Sequence, residues 1–150
     1  MSRKLIYVDV DGVLNAEARS ELRVVEMGFP LNLNPAHGTW LLSLAERTGA
    51  SLVWGTTWQE LANKHIAGHI GLPELPWLDL SSRKFSETND VVKAREAQNY
   101  AGDDPFVYFD DWPTIGMFIT KPKGKYIYVD PVRGLQQGHI EQAEEWLNSW

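Results

Sequence analysis

The sequence contains no cysteine. Disulfides, thiol catalysis and cysteine-based zinc sites are therefore excluded. No apolar run approaches the ~18 residues that a membrane span needs, so no membrane partner is expected. Positive charge is scarce. The 14 Lys and Arg stand against 20 Asp and Glu, for a net charge of −6 and a pI of about 5.1. No dense Lys/Arg run appears, so a large electrostatic footprint for nucleic acid is missing. That argues only weakly against nucleic-acid ends as substrates. Arg3 and Lys4 precede an apolar stretch, but Asp9 and Asp11 interrupt it too early for a signal peptide. A cytoplasmic location is the expectation. No repeat, low-complexity tract or linker divides the 150 residues. Residues 1–150 are expected to form one domain, long enough to bury a real core.

What is present is an alternation of strand and helix patterns. Residues 4–10 form a continuous apolar run, as expected of a strand covered on both faces. Residues 16–34 read as irregular, with room for a small hairpin around "RVVEMGFPLNL". Asn34 and Pro35 open a helix whose stripe is Trp40, Leu41, Leu44 and Ala45, and Gly49 ends it. "ASLVWGTTW" (50–58) is a second strand running into a turn. Leu61, Ala62 and Ile66 imply a helix that stops near Gly71 and Pro73. "PWLDL" (76–80) reads as a short third strand. A helix over about 90–101 presents Val91, Ala94, Ala97 and Ala101 inward. "PFVYFDDW" (105–112) and "KYIYVDP" (125–131) are the fourth and fifth strands. Ile140, Ala143, Leu147 and Trp150 stripe a closing helix. The pattern predicts an α/β fold, three-layered and Rossmann-like, with a mainly parallel sheet in the order 3-2-1-4-5 counted along the chain.

Buried strands normally avoid carboxylates, because burying an unpaired charge is costly. Here Asp9 and Asp11 close the first strand, Thr56 and Thr57 the second, and Asp110 and Asp111 the fourth. In an open α/β sheet, ligands bind at the carboxyl ends of the strands. If these strands are neighbours, three or four carboxylates converge and repel one another. A hard divalent cation relieves that repulsion, and Mg²⁺ favours carboxylate oxygens with water and phosphate. The residues leave other readings open. Asp-x-Asp-Gly also occurs in calcium loops, but those supply further oxygen ligands and a Glu, whereas Val13, Leu14 and Ala16 follow here. Aspartates can also simply cap turns, and Thr56 can cap the next helix.

The ordered set resembles the haloacid dehalogenase-like (HAD) superfamily of phosphohydrolases. Its first motif is matched by Asp9-Val10-Asp11-Gly12-Val13, its second by "LVWGT" ending at Thr56, and its fourth by "VYFDD". Its third, a lysine early in the preceding helix, is matched by Lys93, 17 residues before Asp110; Lys84 competes for that place. Residues 126–147 are similar to the tail of a small HAD-like group of actinobacteria and their phages.

The resemblance implies a HAD-like core and a Mg²⁺-dependent phosphatase. Asp9 would be the nucleophile that forms an aspartyl-phosphate, and Asp11 the general acid and then base. Thr56 would bind a phosphoryl oxygen, with Thr57 a substitute, and Lys93 would neutralise the transferring group. Asp9, Asp11 (through its carbonyl), Asp110 and Asp111 would hold Mg²⁺. Gly12 would let the backbone approach the phosphate. Trp58 and Trp112 follow motif strands and could stack on a substrate ring, packing being the alternative. Arg133 could reach a second anionic group. His65 and His69, spaced i, i+4, resemble a zinc pair, but no third ligand is evident. Trp40, Trp54 and Trp146 are expected in the core.

HAD-like enzymes choose substrates with inserted cap domains. Neither the stretch from Asn15 to Asn34 nor that from Trp58 to Val92 can house a large one. A minimal cap and an open site follow. The substrate would be a nucleotide, a nucleic-acid end or another small phosphomonoester. A non-catalytic binding or regulatory module and a phosphotransferase are the alternatives. The oligomeric state is not legible.

Overall fold

The computed structural model describes residues 3–18 and 22–150. Along the chain these form β1 (Leu5–Val8), a hairpin of β2 (Leu22–Glu26) and β3 (Phe29–Leu33), α1 (Ala36–Thr48) and β4 (Ser51–Trp54). Next come α2 (Leu61–His65), a 3₁₀ turn (Ala67–Ile70), α3 (Asn89–Ala101) and β5 (Phe106–Asp110). The chain closes with α4 (Ile115–Phe118), β6 (Gly124–Tyr128) and α5 (Gln137–Asn148).

The sheet runs β4-β1-β5-β6 and every pairing in it is parallel. Side chains of successive strand residues point to opposite faces, and here both faces are buried. Ile6, Val8, Val107 and Phe109 join Leu41 and Leu44 of α1 and Ile140, Ala143 and Leu147 of α5. Leu5, Tyr7, Val53, Phe106 and Tyr108 join Val92, Ala97 and Ala101 of α3. That is why the strands read as continuous apolar runs rather than as alternating ones. Helices lie on both sides, giving the expected three layers. The tail packs back on the loop after β1, where Leu135 N–H donates to the Val13 carbonyl at 2.8 Å and Glu17 N–H to the Pro131 carbonyl at 3.0 Å.

Four strands take the expected order. The segment 76–80 lies beside β4, at the edge where it was expected. It joins the sheet through a single parallel bridge, Trp54–Trp77, with Trp54 N–H on the Pro76 carbonyl and Leu78 N–H on the Trp54 carbonyl. Pro76 has no N–H to extend the ladder. Leu78 and Leu80 still point into the core. The hairpin turns at Met27 (φ 53°) and Gly28 (φ 80°), two successive positive-φ residues, the backbone that a tight two-residue turn requires.

Three details of the expected packing shift. In α3 the buried valine is Val92; Val91 is only half-buried, because Asp90, Lys93, Ala94, Ala97 and Ala101 set the inward face. Trp150 lies past the end of α5 and is 47% exposed, edge-on to Trp146. Of the three tryptophans expected in the core, Trp54 is fully buried; Trp40 and Trp146 are half-buried against it.

Candidate active site

The carboxyl ends of β1, β4 and β5 meet at one point. Asp9 follows β1 directly, and its N–H still donates to the Phe109 carbonyl of β5 at 3.1 Å. One side-chain oxygen, Oδ1, accepts the Val10 N–H at 2.8 Å. The chain then closes a tight loop, with the N–H groups of Val13, Leu14 and Asn15 on the Val10 carbonyl. Gly12 is required there twice over. Its φ is +81°, and a Cβ would lie 2.2 Å from Oδ2 of Asp111. Its own N–H is committed to the Asn15 carbonyl at 2.8 Å, so it supplies proximity rather than a free donor.

Asp110 ends β5 and is wholly buried. Its Oδ1 accepts the Trp112 N–H at 3.0 Å and its Oδ2 the Lys93 ammonium at 2.7 Å. Lys93, one turn into α3, also lies 3.3 Å from Oδ2 of Asp9. Both carboxylates and the lysine side chain are nearly inaccessible to solvent, at 6% exposure or less. The half-buried Asp111 completes the group: one oxygen each from Asp9, Asp110 and Asp111 lie within 4.8 Å of one another. Lys84, by contrast, is exposed in the loop before α3, its N–H on Oε1 of Glu87.

Burial pushes the Asp9 carboxyl above the usual range, against the pull of Lys93, the Val10 N–H and the Thr56 hydroxyl. It also pushes the Asp110 carboxyl up, and the neighbouring Asp9 charge adds to the effect. Burial alone would lower the Lys93 ammonium, but Asp9 and Asp110 outweigh it and raise it. One cation thus serves two buried carboxylates with a third beside them. This donor set is hard, anionic and short of positive charge, which suits a Mg²⁺ ion.

Thr56, fully buried, follows Gly55 at the end of β4. Its hydroxyl bonds Asp9 while its Oγ1 accepts the Trp58 N–H at 3.2 Å. Gly55 is clipped from below, since the Tyr108 hydroxyl donates to its carbonyl at 2.8 Å and a Cβ there would lie 2.7 Å from that hydroxyl. Thr57 is exposed.

Asp11 is exposed and its carboxylate stands apart from the three-acid group. Oδ2 accepts the Trp58 indole N–H at 3.0 Å, and Oδ1 accepts the Asn15 amide at 3.1 Å. The residues singled out around Asp9 are therefore split. Asp9, Thr56, Lys93 and Asp110 are gathered in one buried centre with the half-buried Asp111 beside them, and Asp11, Thr57 and Trp58 line a neighbouring cavity. Trp112 is 44% exposed beyond Asp110. Arg133 is exposed and lines a different cavity, with His37 and Gln136.

Sequence reasoning missed two contributors. Asn15 orients Asp11, and its Oδ1 also accepts the Asn32 N–H of β3 at 2.8 Å; its spacing of four from Asp11 was the available signal. Glu26 takes the His65/His69 pair. Its carboxylate lies 2.7 Å from His65 Nδ1 and 2.8 Å from His69 Nε2. Bonds from His69 and His65 hold it below the usual carboxylate range. The i, i+4 histidines thus face a carboxylate of the hairpin.

Among the described residues, no helix is long and apolar enough to cross a membrane. Among the curated proteins, none matches the chain. A solved Legionella pneumophila structure, assigned to subfamily III A of the HAD hydrolase superfamily, is similar at 18% identity and a TM-score of 0.47, over 98% of this chain and 88% of that one. Residues 5–140 match the family described as the HAD domain in Swiss Army Knife RNA repair proteins, which takes in every motif above from Asp9 to Asp111. With the greater part of its length inside that match, the chain belongs to this family of HAD domains.

Proposed function

We propose that the protein is a Mg²⁺-dependent phosphomonoester hydrolase that works through an aspartyl-phosphate on Asp9. The observation that carries this reading is the shared Lys93 ammonium, 3.3 Å from Asp9 and 2.7 Å from Asp110, with Asp111 alongside. Buried carboxylates in that number need positive charge, and a single lysine leaves them short of it. Asp9, Asp110, Asp111 and the Asp11 carbonyl would hold the metal. When bound, the ion would supply charge neutralisation for the phosphoryl oxygens.

In the first step an Asp9 carboxylate oxygen attacks phosphorus and the bond to the leaving oxygen breaks. Asp11 would serve as the general acid that delivers a proton to the departing alkoxide. Asp11 then takes a proton from a water that attacks phosphorus, and the Asp9–phosphorus bond breaks to release inorganic phosphate. Lys93 would neutralise charge on the transferring group, and the Thr56 hydroxyl, whose single proton bonds Asp9 in the free protein, would turn that proton to a phosphoryl oxygen when substrate is bound. Phosphoryl transfer depends mainly on such positioning and charge stabilisation. The family's association with RNA repair favours phosphorylated nucleic-acid ends among the candidate substrates. The net charge of −6 favours contacts near the terminal phosphate over a long electrostatic track.

The test is hydrolysis of an aryl phosphate and of 3′- and 5′-phosphorylated oligoribonucleotides, with Mg²⁺, with EDTA and with Asp9→Asn. Turnover that needs the metal and disappears in the variant is the expected result. Turnover that survives Asp9→Asn would sink the covalent mechanism.

A further inference from the structure

Between the hairpin and Trp58 lies a cavity of about 330 Å³, at the small end of the ~300–1,000 Å³ typical of ligand sites. Its walls include Met27, Phe29, Leu31, Trp58 and Leu61, and Asp11 and Thr57 border it. We propose that this cavity is a subsite for an uncharged planar ring, a nucleobase or an aryl group, carried on the leaving-group side of the phosphomonoester. The proposal rests on the hydrolase reading above, in which Asp11 protonates the leaving oxygen. Whatever that oxygen carries must lie beside Asp11, and Asp11 opens onto this cavity.

Three observations define the occupant. First, the walls are aromatic and their geometry is held. Phe29 and Trp58 stand edge-to-face with ring centroids 6.2 Å apart, and the indole N–H of Trp58 is tied to Asp11. Wall and acid therefore move as a unit. Rings bind well against such faces, and the volume suits one ring system rather than a long chain.

Second, the hairpin spends apolar residues where the core does not need them. Met27 is 54% and Phe29 60% exposed, whereas Leu31 and Leu33 on β3 are buried. An exposed apolar patch of this kind marks a contact surface. The hairpin is nonetheless anchored, by Glu26 on His65 and His69 and by Asn32 on Asn15. Third, among the described residues no Lys or Arg lines the cavity, and its charged member is Asp11. A second anion on the leaving group would meet a carboxylate and no counter-charge, so the ring should be uncharged.

The test compares a nucleoside 3′-monophosphate and an aryl phosphate with glycerol phosphate, which has no ring, in wild type, Phe29→Ala and Met27→Ala with Mg²⁺. The expected result is a kcat/KM ratio of ring to ringless substrate that falls about tenfold in Phe29→Ala, mainly through KM. A shift in the same direction is expected in Met27→Ala. A ratio near unity in wild type, or unmoved in both variants, overturns the proposal. If none of these phosphates is turned over, equilibrium binding separates the two ideas. Binding of the nucleoside monophosphate that weakens about tenfold in Phe29→Ala supports the ring subsite while the hydrolase reading falls. Absence of such binding overturns the subsite as well. A phosphorylated oligonucleotide run in parallel tells whether the ring comes from a free nucleotide or a strand end. Sedimentation of wild type and Phe29→Ala covers the other occupant: a dimer lost in the variant would make the hairpin tip a self-association surface and overturn the subsite.

Discussion

The buried centre and the hairpin-walled cavity are linked through Asp11, two residues past Asp9, yet they are built in different ways. The centre draws Asp9, Thr56, Lys93 and Asp110 from across most of the chain and seals them from water. Its geometry follows from strand register: β1 lies between β4 and β5, so residues just past their ends must meet. One side of the cavity comes from a local segment, the hairpin of residues 22–33, most of whose side chains are partly or fully exposed. Its geometry follows from a tight turn and a few polar anchors. Damage to the centre should therefore cost stability and chemistry together, and damage to the hairpin should change substrate choice while the fold survives.

The largest effect expected is at the centre. Asp9→Asn should lower Mg²⁺-dependent turnover by at least about 10⁴-fold and shift the denaturation midpoint, while a single cooperative unfolding transition shows that the fold persists. Next, Lys93→Met leaves two buried carboxylates without their cation and should destabilise the protein by about 3–5 kcal/mol, read by urea unfolding in EDTA. Mg²⁺ should restore part of that loss. No recovery would argue against a cation among these acids.

A smaller effect is expected where the two regions join. Trp58→Phe keeps a ring in the wall and removes the N–H that orients Asp11. It should lower kcat on alkyl phosphates by roughly tenfold, and less on aryl phosphates whose leaving groups need little protonation. An equal loss on both would mean that Trp58 acts through packing instead. The smallest effect concerns the loop before α3. Hydrogen bonds from Arg95 hold the Glu87 carboxyl at about 2, below its ordinary 4.5. A carboxyl whose folded value is depressed adds stability above its unfolded value, and that stability fades as pH falls toward the folded one. The stability gap between wild type and Glu87→Gln should thus be constant above about pH 5 and close by about pH 2.

Much of the centre was legible because its signal is local to each strand. An apolar run that stops at Asp9, at Thr56 or at Asp110 marks a strand end with a polar group on it, and Lys93 was picked out by its motif spacing of 17 residues before Asp110. The three-layer fold was legible for the same reason. The hairpin's role was not. Val25, Met27 and Phe29 are apolar yet exposed, so their pattern reads as neither core nor surface. Glu26 closes on histidines 39 and 43 residues away, a distance that leaves no trace in local spacing. The edge segment 76–80 read as a strand because Leu78 and Leu80 alternate inward, but Pro76 limits its pairing to one bridge. The stripe of α3 was read from its apolar residues alone, whereas its buried face also holds Asp90, bonded to Thr88 and Thr114, and Lys93.

The Tyr108 hydroxyl reaches from β5 to the Gly55 carbonyl at the tip of β4, and β1 lies between the two strands. The bond spans three strands at the depth of the buried carboxylates. Amide protons around Asp9, Gly55 and Asp110 should consequently exchange with solvent only when the whole molecule opens, whereas those of the hairpin should exchange through local openings. On the proposed reading, the hairpin can open locally without disturbing the centre, because the atoms assigned to the reaction belong to the last part of the structure to come apart.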